Sequence, residues 1–351
     1  MRVAIIAITR NGAQLGARLK EGFAAADFFV LQKHAGQAGK GAIPFIGELK
    51  ELVRELWLKT DGFVLIMATG IVVRLIAPLL ERKDLDPAVV VMDDAGRFAI
   101  SLLSGHLGGA NELAGKCAFI SGAREVITTA TDVNNLPSFD MLAKEEGWVI
   151  DDLARVKTLN SLLLEGEELA VVDPSGRTRA WFHGRGKLSF HETFVDALKS
   201  GAKGYLFVTN RHLPLQVQSE SLLVLRPKNL VLGIGCNSGT GAAEIDELVR
   251  SQFKRLFLSM KSVKCVGTAV AKRHEPGLLA FAEQFNLPLS FFESTELNGV
   301  ATPSPPSLHA MEAIGAAGVA EPAAILASGG GRLLLKKVKS GNVTLAIAEI
   351  C

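Results

Sequence analysis

Short runs of aliphatic and β-branched residues alternate, through the first third of the chain, with stretches whose apolar positions recur every three or four residues. VAIIAI (3–8) is continuously apolar, as a strand buried on both faces should be, and the amphipathic stretch 13–25 after Asn11-Gly12 predicts a helix. FFVLQ (28–32), FVLIMA (63–68) and AVVVMD (88–93) predict further strands, while 44–57 carries apolar residues at helical spacing. Asp94-Ala95-Gly96 reads as a tight turn into FAISLL (98–103), and Ser104-Gly105-His106-Leu107-Gly108-Gly109 opens a helix expected over about 110–121. Strands closed by glycine turns and followed by helices imply an α/β fold. Its N-terminal part, 1–130, is expected to be a three-layer domain with a mostly parallel sheet.

Between 131 and 227 the pattern loosens into a smaller α/β region. DMLAKEEG (140–147) is helix-like, AVVDPSG (170–176) reads as strand plus turn, and YLFVTN (205–210) and LLVLRP (222–227) as strands; RTRAWFHGRGK (177–187) is basic and irregular. Arg226-Pro227-Lys228-Asn229 predicts an interdomain joint, because proline continues neither a ladder nor a helix. LVLGIGCNSGTGAAEIDELV then opens a third α/β domain, 228–351. Three domains suit 351 residues, more than one core usually needs.

Composition narrows the function classes. A mean hydropathy of +0.27 raises the question of a membrane protein. The most apolar run, 62–73, is 12 residues long, short of the roughly 20 a spanning helix needs. The N-terminal strand is cut off by Arg10 with no small-residue cleavage site after it, so a cytoplasmic protein is expected. Thirty-eight Lys+Arg against 36 Asp+Glu, with one Tyr and three Trp, give neither a basic stripe nor stacking rings for a nucleic acid. Cys117, Cys236, Cys265 and Cys351 lie far apart and the histidines show no HExxH spacing, so neither a disulfide framework nor a protein metal site is expected.

Ligands of α/β proteins bind beyond the carboxyl ends of parallel strands, so residues directly after strands are the candidates. The first domain offers Thr69, Gly70 and Arg74, then Asp93, then Ser104, Gly105, His106, Gly108, Gly109, Asn111 and Glu112, then Thr131 and Asp132. Three glycines there would let a backbone approach a ligand, and the following helix would offer free N–H groups and the positive end of its dipole. His106 could act as a general base or acid, or merely tie down a turn. Asp93 reads first as a turn residue, Asp132 as a helix cap, and Arg74 as a carboxylate anchor or a structural ion pair. In the third domain GIGCNSGTG has Ser238 where a dinucleotide fingerprint needs its third glycine, leaving an anion-receiving loop with Gly233, Gly235 and Cys236. Ser328, Gly329 and Gly330, with the basic strand that ends in Lys339-Ser340-Gly341-Asn342, form a second anion-friendly rim or an ordinary hairpin with a lysine edge.

Taken as a set, these segments resemble a known family. GIVVRLIAPLLERKDLDPAVVVMDDAGRFAISLLSGHLGGANELA and VITTATDV closely resemble the N-terminal domain of the CbiG family of anaerobic cobalamin synthesis. LGIGCNSGTGAAEI, HEPGLLAFAEQFNLPLSFF, EPAAILASGGG and KSGNVTLAIAE resemble its C-terminal domain, which also occurs alone as CobE. One departure is Asn237-Ser238, where family members often carry basic residues; an anion there would be left to backbone N–H groups. The resemblance implies hydrolysis of cobalt-precorrin-5A to cobalt-precorrin-5B, with opening of a ring-A δ-lactone and loss of acetaldehyde; a non-catalytic corrinoid carrier is the alternative. The cobalt would arrive with the substrate, so no cofactor is expected. Other enzymes of the pathway or a second copy are compatible partners, and neither nucleic acid nor membrane is called for. In this chemistry His106 would activate water, Ser104 and backbone N–H groups would polarise the lactone, Asp93 or Glu112 would orient the imidazole, and Arg74 would anchor a peripheral carboxylate. Axial contact of His106 with the substrate's cobalt is the rival role. The two glycine rims are expected to receive a single acidic ring system.

Overall fold

The computed structural model describes residues 1–350 apart from 83, 84, 215, 216 and 218; Cys351 lies outside the described residues. The chain divides into two compact units, Met1–Met141 and Leu142–Cys351.

The first unit is built on seven strands, β1 (Val3–Ala7), β2 (Ala26–Leu31), β3 (Ala42–Phe45), β4 (Gly62–Ile66), β5 (Ala88–Met92), β6 (Phe98–Leu103) and β7 (Arg124–Val126), in the order β3-β2-β1-β4-β5-β6-β7. Its helices are α1 (Arg10–Gly22), α2 (Leu49–Trp57), α3 (Thr69–Ile76), α4 (Ala110–Ser121), α5 (Ala130–Val133) and the start of α6 (Phe139–Glu145). Every residue of β1, β4 and β5 is buried, which is why these strands read as unbroken apolar runs. Alternate side chains feed two cores. Val3, Ile5, Val64 and Val90 pack with Leu15, Leu19 and Leu113, whereas Ala4, Ile6, Leu65 and Val91 pack with Val53, Trp57, Val72 and Ile76. Helices α1 and α4 therefore cover one face and α2 and α3 the other, the three-layer arrangement expected. The stretch 44–57 is not one helix. Pro44 lies in β3, an edge strand where a missing N–H breaks no interior ladder, and α2 begins only at Leu49.

The sheet is mostly parallel, as expected, with one reversal. Strands β1 to β5 are mutually parallel, but β6 is antiparallel to β5, and β7 follows β6. The Asp93–Gly96 turn reverses the chain, with Gly96 at φ +68° and its N–H on the Asp93 carbonyl.

The second unit holds two five-stranded sheets. The first comprises β8 (Val149–Ile150), β9 (Leu169–Val172), β10 (Leu188–Phe190), β11 (Gly204–Val208) and β12 (Leu222–Arg226), parallel except for β8, with helices α7 (Leu153–Leu164), α8 (Arg177–Phe182) and α9 (Phe194–Lys199). The basic stretch expected to be irregular begins as α8, whose Thr178 N–H is capped by Asp173. The second sheet has the order β15-β14-β13-β17-β16. Its strands are β13 (Leu230–Cys236), β14 (Val263–Ala269), β15 (Leu289–Phe292), β16 (Arg332–Ser340) and β17 (Val343–Glu349), and its helices α10 (Ala242–Arg255), α11 (Pro276–Gln284), α12 (Ser294–Asn298), α13 (Leu308–Ile314) and α14 (Ala320–Ala327). The joint at Pro227 falls between β12 and β13. Buried Arg226 pairs there with Asp151, which also meets Lys261. Among the described residues no helix is long and apolar enough to cross a membrane.

Candidate active site

The reversal of β6 separates residues that lie close together in sequence. Thr69, Gly70 and Arg74 follow β4 and Asp93 follows β5, all at the carboxyl edge of those strands. The 104–109 loop follows β6, whose last residue, Leu103, lies opposite Val89 near the start of β5, while Ala99 lies opposite Met92. His106 is thus at the other edge, roughly 16 Å of strand away. Each displaced residue has local work instead. Asp93 Oδ1 accepts from the N–H groups of Arg97 (2.9 Å) and Phe98 (2.8 Å), fixing the hairpin and not an imidazole. Exposed Arg74 donates to the carbonyl of Gly70 at 2.9 Å, within its own helix.

The 104–109 loop closes on itself. Ser104 adopts φ +56° and its hydroxyl donates to the Asp86 carbonyl at 3.0 Å, so it holds the loop and does not face a substrate carbonyl. The first N–H groups of α4 are already used: Ala110 donates to the Ser104 carbonyl and Asn111 to that of Gly105. The expected anion cradle at this helix start is filled from within. A Cβ at Gly108 would lie 2.4 Å from that of Ser104, and one at Gly105 2.7 Å from Asn111 Oδ1; Gly109 takes φ +88°. These glycines permit a tight closure.

What the closure presents is a histidine between two aspartates. His106 Nδ1 lies 3.1 Å from Asp140 Oδ2 and Nε2 lies 2.9 Å from Asp132 Oδ2. Ser138 Oγ is 3.5 Å from Nδ1 and Thr131 Oγ1 3.2 Å from Nε2. The imidazole is 14% exposed and Asp140 7%, while Asp132 is 44% exposed, so the array runs from the interior to solvent. Asn111 holds Asp132 from the other side, donating to Oδ2 at 3.0 Å, and its own Oδ1 accepts from Ser101 Oγ at 2.6 Å. The hydrogen bond to Asp140 raises the His106 pKa most strongly; burial opposes it and Asp132 reinforces it. The orienting carboxylates are therefore Asp140 and Asp132, where Asp93 or Glu112 was expected. With both ring nitrogens engaged, no lone pair is presented to an incoming cobalt, which argues against the axial role. Asn111, Thr131 and Asp132 do gather here as their spacing after strands suggested. Asp140 was missed, because nothing in sequence ties it to a histidine 34 positions earlier.

The C-terminal glycines have a different purpose. A Cβ on Gly233 would lie 1.8 Å from the Ala320 carbonyl oxygen, and one on Gly235 2.6 Å from Thr344 Oγ1. Gly233 lets α14 pack against the sheet, and neither glycine has room for a ligand. Burial pushes the Cys236 thiol up, making it a poor nucleophile. Beyond β13, Asn237 donates twice to Asn342, from its N–H to the carbonyl and from its Nδ2 to Oδ1. Glu244 Oε1 accepts from Asn342 N–H at 2.7 Å, so a carboxylate sits where an anion was expected, beside Gly341. The remaining candidates are split by a strand. Arg332 lies opposite Glu349 and Ser340 opposite Val343, so the Ser328-Gly329-Gly330 turn and the Lys339–Asn342 turn stand at opposite ends of β16. They are separated by roughly 25–30 Å. Ser328 there caps its own turn, accepting from Gly331 N–H.

Fold and site together define an α/β protein in which a largely buried histidine is flanked by two carboxylates. Family profiles match along the chain: "Cobalamin synthesis G N-terminal" over residues 51–132, "Cobalamin biosynthesis central region" over 137–227 and "Cobalamin synthesis G C-terminus" over 230–348. The chain is 37% identical over 355 residues to the cobalt-precorrin-5A hydrolase of Priestia megaterium, covering 99% of this chain and 94% of that one. It is 31% identical over 323 residues to the protein of the same name from Salmonella typhimurium, covering 88% and 87%. Protein CobE of a Sinorhizobium species matches 34% of this chain over 123 residues, at 32% identity and 79% of its own length. The chain belongs to the CbiG family.

Proposed function

We propose that this protein hydrolyses cobalt-precorrin-5A to cobalt-precorrin-5B in anaerobic cobalamin biosynthesis, releasing acetaldehyde, and that the His106 centre performs the proton transfers. The names of relatives at 37% and 31% identity over most of the chain support the reaction. The observation that carries the chemistry is the placement of His106 between a buried and an exposed aspartate. The protein works in the cytoplasm, and cobalt comes and goes with the substrate.

Lactone opening needs one group that first removes a proton from water and then returns it. Hydroxide adds to the carbonyl, the acyl C–O bond breaks, and the alkoxide is protonated. The new hydroxyl lies on the carbon through which the departing two-carbon unit is joined to the macrocycle. Removing its proton lets the bond from that carbon to the macrocycle break. The electron pair passes to the macrocycle, which takes up a proton, and acetaldehyde leaves. The same proton carrier serves both stages, and Asn111 keeps its exposed end in place.

The test is anaerobic incubation of purified protein with cobalt-precorrin-5A. One acetaldehyde per macrocycle, detected by aldehyde derivatisation, is the expected result. Tight binding without acetaldehyde would overturn it in favour of a carrier.

A further inference from the structure

We infer that the proton acceptor of this centre is Asp132, and that His106 works as a fixed imidazolium between two carboxylates. The assignment rests on reading the centre as the hydrolase site and deepens it. Each ring nitrogen of His106 is within hydrogen-bonding distance of a different carboxylate oxygen. A neutral imidazole has a single N–H and would leave one of those oxygens facing a lone pair; the cation donates to both. The charged groups that meet the ring are Asp132 from α5 and Asp140 from α6, while Asn111 from α4, Thr131 and Ser138 are neutral. Asp140 is buried and Asp132 half-exposed, so Asp132 is the carboxylate of the array that meets solvent. Oδ2 of Asp132 is held by His106 and Asn111, and among the described residues no partner holds Oδ1. Oδ1 can take a proton from water and return it to the alkoxide while the imidazolium keeps the carboxylate aimed.

The two assignments predict opposite pH limbs. A neutral His106 base would make kcat rise as pH climbs through the imidazole range. With Asp132 as acceptor, kcat shows no such rise and falls as pH passes the elevated titration of His106, because the ring then loses its second N–H. Asp132→Asn is expected to lower kcat by about 100-fold or more, the usual scale for losing a general base. Asp140→Asn acts through the ring, so Asp140 is a positioning residue; this variant should move the alkaline limb to lower pH. Nitrogen-15 NMR of the His106 ring in wild-type protein reads its charge without turnover or a variant, and both nitrogens should be protonated at pH 7. Wild-type protein that releases no acetaldehyde sinks the hydrolase reading itself. An active enzyme whose ring is neutral at pH 7, or whose kcat climbs through the neutral range, overturns this assignment alone.

Discussion

Asp140 Oδ2 stands 3.1 Å from His106 Nδ1, with both side chains largely withdrawn from water. The ring titrates above its ordinary value, so the pair stabilises the folded state while the imidazole is charged. That contribution is complete below the unfolded value of about 6.5 and is lost as pH rises through the elevated folded value. Asp140→Asn should therefore destabilise the protein most at about pH 6, by about 2 kcal/mol, and progressively less at alkaline pH. Urea unfolding of both proteins across pH 5.5–9 measures the difference; a gap that widens as pH rises contradicts the ion-pair account.

Ser104 separates a loop role from a catalytic one. Ser104→Ala removes the bond to Asp86 but keeps a side chain at φ +56°, and should cost about 1 kcal/mol of stability. Ser104→Gly loses the same bond while easing the backbone. Glycine should thus be the milder change in thermal unfolding, with kcat kept within about threefold in both variants. Equal hundredfold losses of kcat with unchanged stability would restore the oxyanion role.

Gly233→Ala places a methyl group against the Ala320 carbonyl and should cost about 3 kcal/mol or prevent folding. Gly241→Ala, at φ −73° with open space around its Cβ, is the matched control and should be nearly neutral. Circular dichroism melts of the two variants decide the matter. A Gly233→Ala protein as stable as wild type but unable to bind corrinoid would mark the glycine as a ligand contact after all.

Arg74→Ala should leave kcat within about twofold, since its guanidinium closes on its own helix at the sheet edge opposite His106. Steady-state acetaldehyde release measures it. A hundredfold fall in kcat would mean that this edge takes part in the reaction.

The sequence made the buried strands plain because β1, β4 and β5 are apolar at every position. Glycines likewise marked the ends of β6 and β13. It did not reveal which edge each loop would reach. A hairpin reverses the polarity of everything after it, and the Asp93–Gly96 turn, although recognisable as a turn, sent His106 away from Arg74. The same ambiguity divided the turns at either end of β16. Glycine is equally ambiguous: the Gly233 pattern fits a ligand approaching closely or a helix doing so, and only the position of Ala320 distinguishes them. Asp140 carried no signal, because its meaning depends on a contact formed entirely by tertiary folding.

Asp140 lies eight positions beyond Asp132, across the boundary where the N-terminal profile ends at 132 and the central one begins at 137. A gene trimmed at that border would encode His106 without its buried counter-charge. The join between these two regions thus sets the charge environment of His106, and any split, permuted or shortened version of this chain has to keep the seam intact to preserve it.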